Sequence, residues 1–292
     1  MAIGCTRIAS SLAAAALGIA AFLGNASAAG PAKVEDPSAA IPLAPHRAIY
    51  DLKLADTRGR RQLSAVQGRI VYDFSGNACE GYALQFRQVT ELDNGEGKVV
   101  VSDLRSATGE EGAAKNYRFN FQNYLSERLV DSVDGTAERK AQDVEISLKQ
   151  PERKQFDVDA AVVFPTEHIR RIVAAARASQ TVLELPVYDG SETGEKLYNT
   201  LTVVGRAIPP GERKPDDAAA GQAAFENMTR WPVTISYFEQ GSARTGEQTP
   251  AYAIGFELYE NGVSRALSLD YGDFVVSGTM SQLDLKDAPA CK

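Results

Sequence analysis

Apolar and polar residues alternate along most of this chain. Ile70, Tyr72 and Phe74 are interleaved with Val71 and Asp73, and Tyr82, Leu84 and Phe86 with Ala83, Gln85 and Arg87. The same period of two recurs at Tyr117-Phe119-Phe121, Val144-Ile146-Leu148 and Tyr252-Ile254-Phe256-Leu258. A period of two puts one set of side chains on a core face and the other toward solvent. Such one-sided strands belong to antiparallel sheets, because strands of buried parallel sheets read as continuous apolar runs. Turn residues fall between the runs: Asp93-Asn94-Gly95, Asp134-Gly135, Asp189-Gly190 and Asn261-Gly262 tolerate the positive φ of tight hairpins. The pattern predicts about 13 strands joined mostly by short turns, in a meander, barrel or sandwich.

One stretch changes period. Pro165-Thr166-Glu167 opens a helix, predicted from Glu167 to Ala178, with Thr166 as N-cap and Glu167 favoured by the dipole. Ile169, Ile172, Val173 and Ala176 form its apolar stripe, and Arg170 and Arg177 lie off it. Such a helix covers a sheet face or plugs an opening. Residues 207–222, rich in Pro, Gly, Ala and charge, read as an exposed loop within one domain.

The N-terminus is different again. Arg7 precedes an unbroken small-apolar run, Leu12 to Leu23, followed by Ala26-Ser27-Ala28. This is a secretory signal peptide, too short to span a membrane, with cleavage expected after Ala28 or Ala29. The expected organisation is a signal peptide over 1–28, a proline-rich flexible leader over 29–45 and a single β domain over 46–292. Cys5 is lost with the signal, so export leaves Cys79 and Cys291 in an oxidising compartment. A Cys79–Cys291 disulfide is the expected state; free thiols, a metal site or a nucleophile are the alternatives.

Charge narrows the partners. The whole chain carries −7, and losing Arg7 without any acid makes it one unit more negative. No basic stripe is present, so neither nucleic acid nor an anionic lipid surface is an expected partner. Chemistry is sparse: there is no Gly-x-Ser-x-Gly, Walker loop, His-Glu-x-x-His or Cys-x-x-Cys, and only two histidines, His46 and His168. Neither histidine has a sequence signal selecting a serine or a metal partner. Asp270 and Asp273 flank Tyr271-Gly272 and read as turn residues before they read as a carboxylate pair. Trp231, Tyr237, Phe238 and His168 are the candidate lining of a groove for a ligand or partner; strand-core packing is the plainer account of the aromatics. No cofactor is implied.

Several segments, in order, resemble one family. They are Pro45-His46-Arg47-Ala48-Ile49-Tyr50-Asp51-Leu52, Cys79-Glu80-Gly81-Tyr82, Phe164-Pro165-Thr166-Glu167-His168, Trp231-Pro232 and Leu269-Asp270-Tyr271-Gly272-Asp273-Phe274. Their order and spacing resemble the EipB-type cell envelope integrity proteins of alphaproteobacteria. The resemblance implies a periplasmic protein with a long antiparallel sheet wound into a spiral, an overbent barrel, and a disulfide between the positions of Cys79 and Cys291. It implies a non-enzymatic role in envelope integrity under stress, and a link to a periplasmic tetratricopeptide-repeat protein. The readings carried forward are an envelope protein that binds a partner or an envelope lipid or peptidoglycan component, a carrier of an apolar ligand, and a carboxylate hydrolase.

Overall fold

In the computed structural model, residues 41–58, 63–241 and 248–291 are described. The expected signal peptide (1–28) and nearly all of the expected leader (29–45) lie outside them. Where the leader enters view it is already packed: Ile41 and Leu43 are buried against Trp231, Tyr82 and Ile172. The Leu43 amide donates to the Tyr82 hydroxyl at 2.9 Å. The β domain therefore starts at least as early as Ile41 rather than at His46, because two apolar side chains have found the core.

The strands of the described residues form one antiparallel sheet. Strands β1 (His46–Thr57), β2 (Ala65–Asn77), β3 (Gly81–Asp93), β4 (Val99–Glu110), β5 (Asn116–Leu125), β6 (Arg128–Arg139), β7 (Asp143–Gln150) and β8 (Lys154–Asp159) meander in one direction. An α-helix, α1 (Pro165–Arg177), carries the chain across. Strands β9 (Val182–Val187), β10 (Tyr198–Val204), β11 (Arg230–Glu239), β12 (Tyr252–Tyr259), β13 (Ser264–Asp270) and β14 (Phe274–Leu285) then meander back until β14 pairs with β1. The 14-stranded order is β8-β7-β6-β5-β4-β3-β2-β1-β14-β13-β12-β11-β10-β9. The expected strands are present, and the alternation sets their faces: His46, Ala48, Tyr50 and Leu52 on β1 turn inward opposite Phe74, Tyr72, Ile70 and Gly68 on β2.

The sheet ends, β8 and β9, do not pair along their length. Val163, just after β8, makes one parallel bridge to Val187 of β9. Its amide donates to Pro186 O at 2.9 Å, and the Tyr188 amide donates to Val163 O at 3.0 Å. Beyond that seam the chain goes inside. Phe164, Tyr188 and Leu197 pack against Tyr117, Phe119, Val133 and Leu148 of β5–β7. The β5–β7 wall thus overlaps the connections around β9 from outside, which makes the barrel a spiral. Gly190 permits the overlap: its φ is +70°, and a Cβ there would sit 2.5 Å from the Phe119 ring.

The helix plugs one end of the spiral and packs on β9 and β10. Ile172, Val173 and Ala176 of the expected stripe are buried, and Ile169 packs beside them. Two expectations change. The helix starts at Pro165, so Thr166 lies inside the first turn and Phe164 holds the N-cap position without a side-chain cap. Arg170 is 2% exposed, because it donates to Gly112 O at 2.9 Å and lies 4.0 Å from Glu110. Around the same end, Cys79 and Cys291 are bonded, with Cα atoms 5.7 Å apart across 212 residues of sequence.

The segment 207–222 is not a free loop. Glu212, Arg213 and Lys214 are exposed, but Ile208, Asp217 and Ala220 are buried. Asp217 accepts from Arg265 Nε at 2.6 Å, and Arg265 also reaches Glu257. Glu257 in turn accepts from Arg230 Nε at 2.7 Å and pairs with Arg213. A buried charge network therefore fastens the segment to β11, β12 and β13.

Candidate functional site

The residues singled out in the sequence do not converge on an open groove. Trp231 and His168 are 6% and 3% exposed and belong to the packed interior. His168 faces Thr200 of β10, Nε2 to Oγ1 at 3.5 Å, and burial, with Arg171 nearby, pulls its imidazole down to about 4. Tyr237 turns inward with Trp231 and stacks on Tyr252, centroids 4.4 Å apart. Phe238, the next residue on the strand, takes the opposite face. The strand period that made these aromatics visible also separates them.

The aspartates serve turns. Asp270 accepts from the Gly272 amide at 2.9 Å and from Arg58 Nη1 at 2.8 Å. Asp189 accepts the Ser191 amide at 2.9 Å. Among the described residues, no group of three or more His, Cys, Asp or Glu is placed to hold a metal ion. Among them also, no helix is long and apolar enough to cross a membrane.

The interior carries a polar centre that sequence reading missed. Glu110, the last residue of β4, is buried and accepts the Thr166 and Glu167 amides of α1 at 2.7 and 2.8 Å. It supplies from a distant strand the cap that Phe164 lacks. Burial pushes its carboxyl up to about 7, against the pull of those two amides and Arg170. Arg139 of β6 completes the frame: it donates to Ala114 O, Ala160 O and Val162 O at 3.1, 2.6 and 2.9 Å, and to Glu167 at 3.1 Å. These groups are enclosed and mutually occupied, so they hold the helix rather than act on a substrate.

The open surface lies on the outer face of β2–β6. Two adjoining depressions, of 490 and 280 Å³, share Gly109, Arg118 and Thr136. One cross-strand row forms their floor: Ser75 pairs with Ala83, Ala83 with Gly109, Gly109 with Arg118 and Arg118 with Thr136. A Cβ on Gly109 would meet nothing within 4 Å. The floor residues Ser75, Ala83, Gly109 and Thr136 fall one to a strand, so no run in the sequence signals this groove.

Comparison with known proteins agrees with this architecture. The EipB-like family pattern matches residues 37–287. The cell envelope integrity protein EipB of Brucella abortus (strain 2308) is 36% identical over 276 residues, which cover 94% of this chain and 95% of that protein. A crystal structure of a beta-barrel-like protein from Brucella abortus, described as a domain of unknown function, superposes with a TM-score of 0.77 at 35% identity. The match covers 85% of this chain and all of that one. This places the protein in the periplasm, where an oxidising environment favours the Cys79–Cys291 bond. The chain belongs to the EipB-like family of cell envelope integrity proteins.

Proposed function

We propose that this protein supports the envelope by binding, with the outer-face groove over Gly109 as its contact surface. The carrying observation is the contrast between the two faces of the sheet. Inward ionisable groups such as Glu110, Arg139 and Glu257 are spent on helix and loop anchorage. The groove on the outer face is open, floored by small residues and backed by a rigid ladder. Rigid elements with a concave, partly polar surface are what recognition without chemistry needs. The occupant is an envelope component or a periplasmic protein of the tetratricopeptide-repeat type. The mature chain begins after Ala28 or Ala29 in this reading. The test is complementation of a deletion strain under detergent and cell-wall antibiotics. Gly109→Trp, which fills the groove where space exists, is expected to fold and fail to rescue; full rescue would remove the groove from function.

A second reading, an apolar-ligand carrier, is favoured by the end of the spiral away from α1. Val99, Val100, Leu125 and Leu129 lie at two adjacent hairpin ends and are 55, 40, 37 and 48% exposed. Inward side chains such as Phe86, Ile254 and Phe256 keep partial exposure. Native mass spectrometry of protein taken from the periplasm tests it: a bound lipid supports the carrier, and a protein that always flies empty rejects it.

A further inference from the structure

The groove carries side-chain charges of both signs. Arg118 stands on its floor, exposed, and its guanidinium has no hydrogen bond or ion pair among the described residues. The neighbouring cations are committed: Lys149 lies 3.8 Å from Asp134 and Lys140 lies 2.6 Å from Glu138. Glu80 and Glu111 line the same 490 Å³ depression near the helix end of the strands. Their contacts are to amides, Asn77 at 3.5 Å and Asn116 at 2.8 Å, and neither has a cationic partner among the described residues. One arginine and two glutamates thus share a depression without pairing with one another. An occupant that satisfies all three carries an anionic group and a cationic group a few residues apart.

Size and backbone narrow this further. The volume lies within the usual range for small-ligand sites, which fits a short peptide rather than a folded domain. The backbone groups of β3–β5 are engaged in ladders on both sides, so an occupant cannot join as an added strand. Recognition must run through side-chain charge and the small-residue floor. From Ser75 to Thr136 the row crosses four strand spacings, roughly 19 Å.

Resting on the groove reading above, we propose that this site binds a short amphoteric peptide of the cell-wall stem type, with a carboxylate on Arg118 and an ammonium between Glu80 and Glu111. Stem peptides carry carboxylates and a free amine on a compact, branched backbone with no need for strand pairing.

The experiment is calorimetric titration of the mature protein with the tripeptide N-acetyl-L-alanyl-γ-D-glutamyl-meso-diaminopimelate, whose one amine is that of the diaminopimelate side chain. Saturable binding is expected, at least tenfold weaker in Arg118→Ala, absent in Gly109→Trp, and weaker as salt is raised. An analogue without the side-chain amine is expected to lose at least tenfold as well. Circular dichroism and melting of both variants verify their folding. Absence of binding at millimolar tripeptide, undiminished binding by folded variants, or equal binding of the amine-free analogue would each overturn the inference. If Gly109→Trp abolishes rescue in cells while the wild type ignores the tripeptide, the groove stands and the peptide class falls.

Discussion

Glu110 Oε1 accepts the backbone N–H of Glu167 at 2.8 Å, across 57 residues of sequence. The last residue of β4 thereby caps the helix that plugs the spiral, and its burial gives the pair a pH signature. A raised carboxyl pKa stabilises the fold fully below the unfolded value near 4.5 and loses that contribution as pH rises through about 7. His168, lowered to about 4, has the opposite sense: its contribution is present above about 6.5 and is lost as pH falls. His46, also lowered chiefly by burial, acts in the same direction as His168. Each of the two helix-end terms is on the order of 3 kcal/mol from the size of the shift. Between pH 4.5 and 6.5 they oppose one another. In urea denaturation, Glu110→Gln is expected to lose more stability than wild type on acidification, and His168→Phe less. Parallel pH profiles for all three proteins would refute the assignment.

The disulfide is expected to be a large single contribution to stability. Its closed loop spans 212 residues of sequence separation. A chain-entropy treatment gives about 5 kcal/mol for a loop of that length, with native strain and residual structure acting to reduce it. Cys79→Ser with Cys291→Ser is expected to fold with a clearly lower denaturation midpoint and to release the tail beyond β14 to proteases. Unchanged midpoints would show that packing alone holds the tail.

Breaking the buried charge network is expected to free the segment 207–222. Asp217→Ala leaves Arg265 with only Glu257 as its acid partner in a buried setting. Removing one partner of a buried pair costs about 3–5 kcal/mol. Limited proteolysis is expected to cut the variant near the exposed Arg213 and Lys214 faster than it cuts the wild type.

The spiral overlap depends on Gly190. Alanine there combines positive φ with a methyl group 2.5 Å from Phe119. Gly190→Ala is expected to destabilise by about 2–4 kcal/mol, mixing backbone strain with overpacking. Gly109→Ala, where a Cβ meets nothing, is the matched control and is expected to change stability by less than about 0.5 kcal/mol. Similar losses for both would disconnect the overlap from stability.

The wall of the barrel was legible because each strand carries its own period: Tyr117, Phe119 and Phe121 announce a face without knowing their partners. The helix was legible for the same reason, from Ile172, Val173 and Ala176. Long-range polar pairing was not. Nothing local distinguishes Glu110 from any glutamate at a strand end, and Asp217 sits in a segment whose composition reads as loop. Their burial is decided by Thr166, Glu167 and Arg265, far away in sequence. The aromatic candidates failed as a groove because Trp231 and Tyr237 share the face that packs the interior. The outer groove escaped notice because Gly109 is conspicuous only by what is missing above it.

The seam between Val163 and Val187 sets a mechanical property of the wall. In a cylinder whose last strand pairs with its first, bore and tilt are fixed by strand number and shear. Here the overlap is held by two backbone hydrogen bonds, the Tyr117 hydroxyl donating to Asp189 O at 2.8 Å, the Lys154–Glu195 pair and a layer of apolar side chains. No ladder between named strands crosses that lap joint, so strand pairing alone does not set the circumference. The closure of this wall therefore rests on side-chain packing at one lap joint rather than on a continuous ladder.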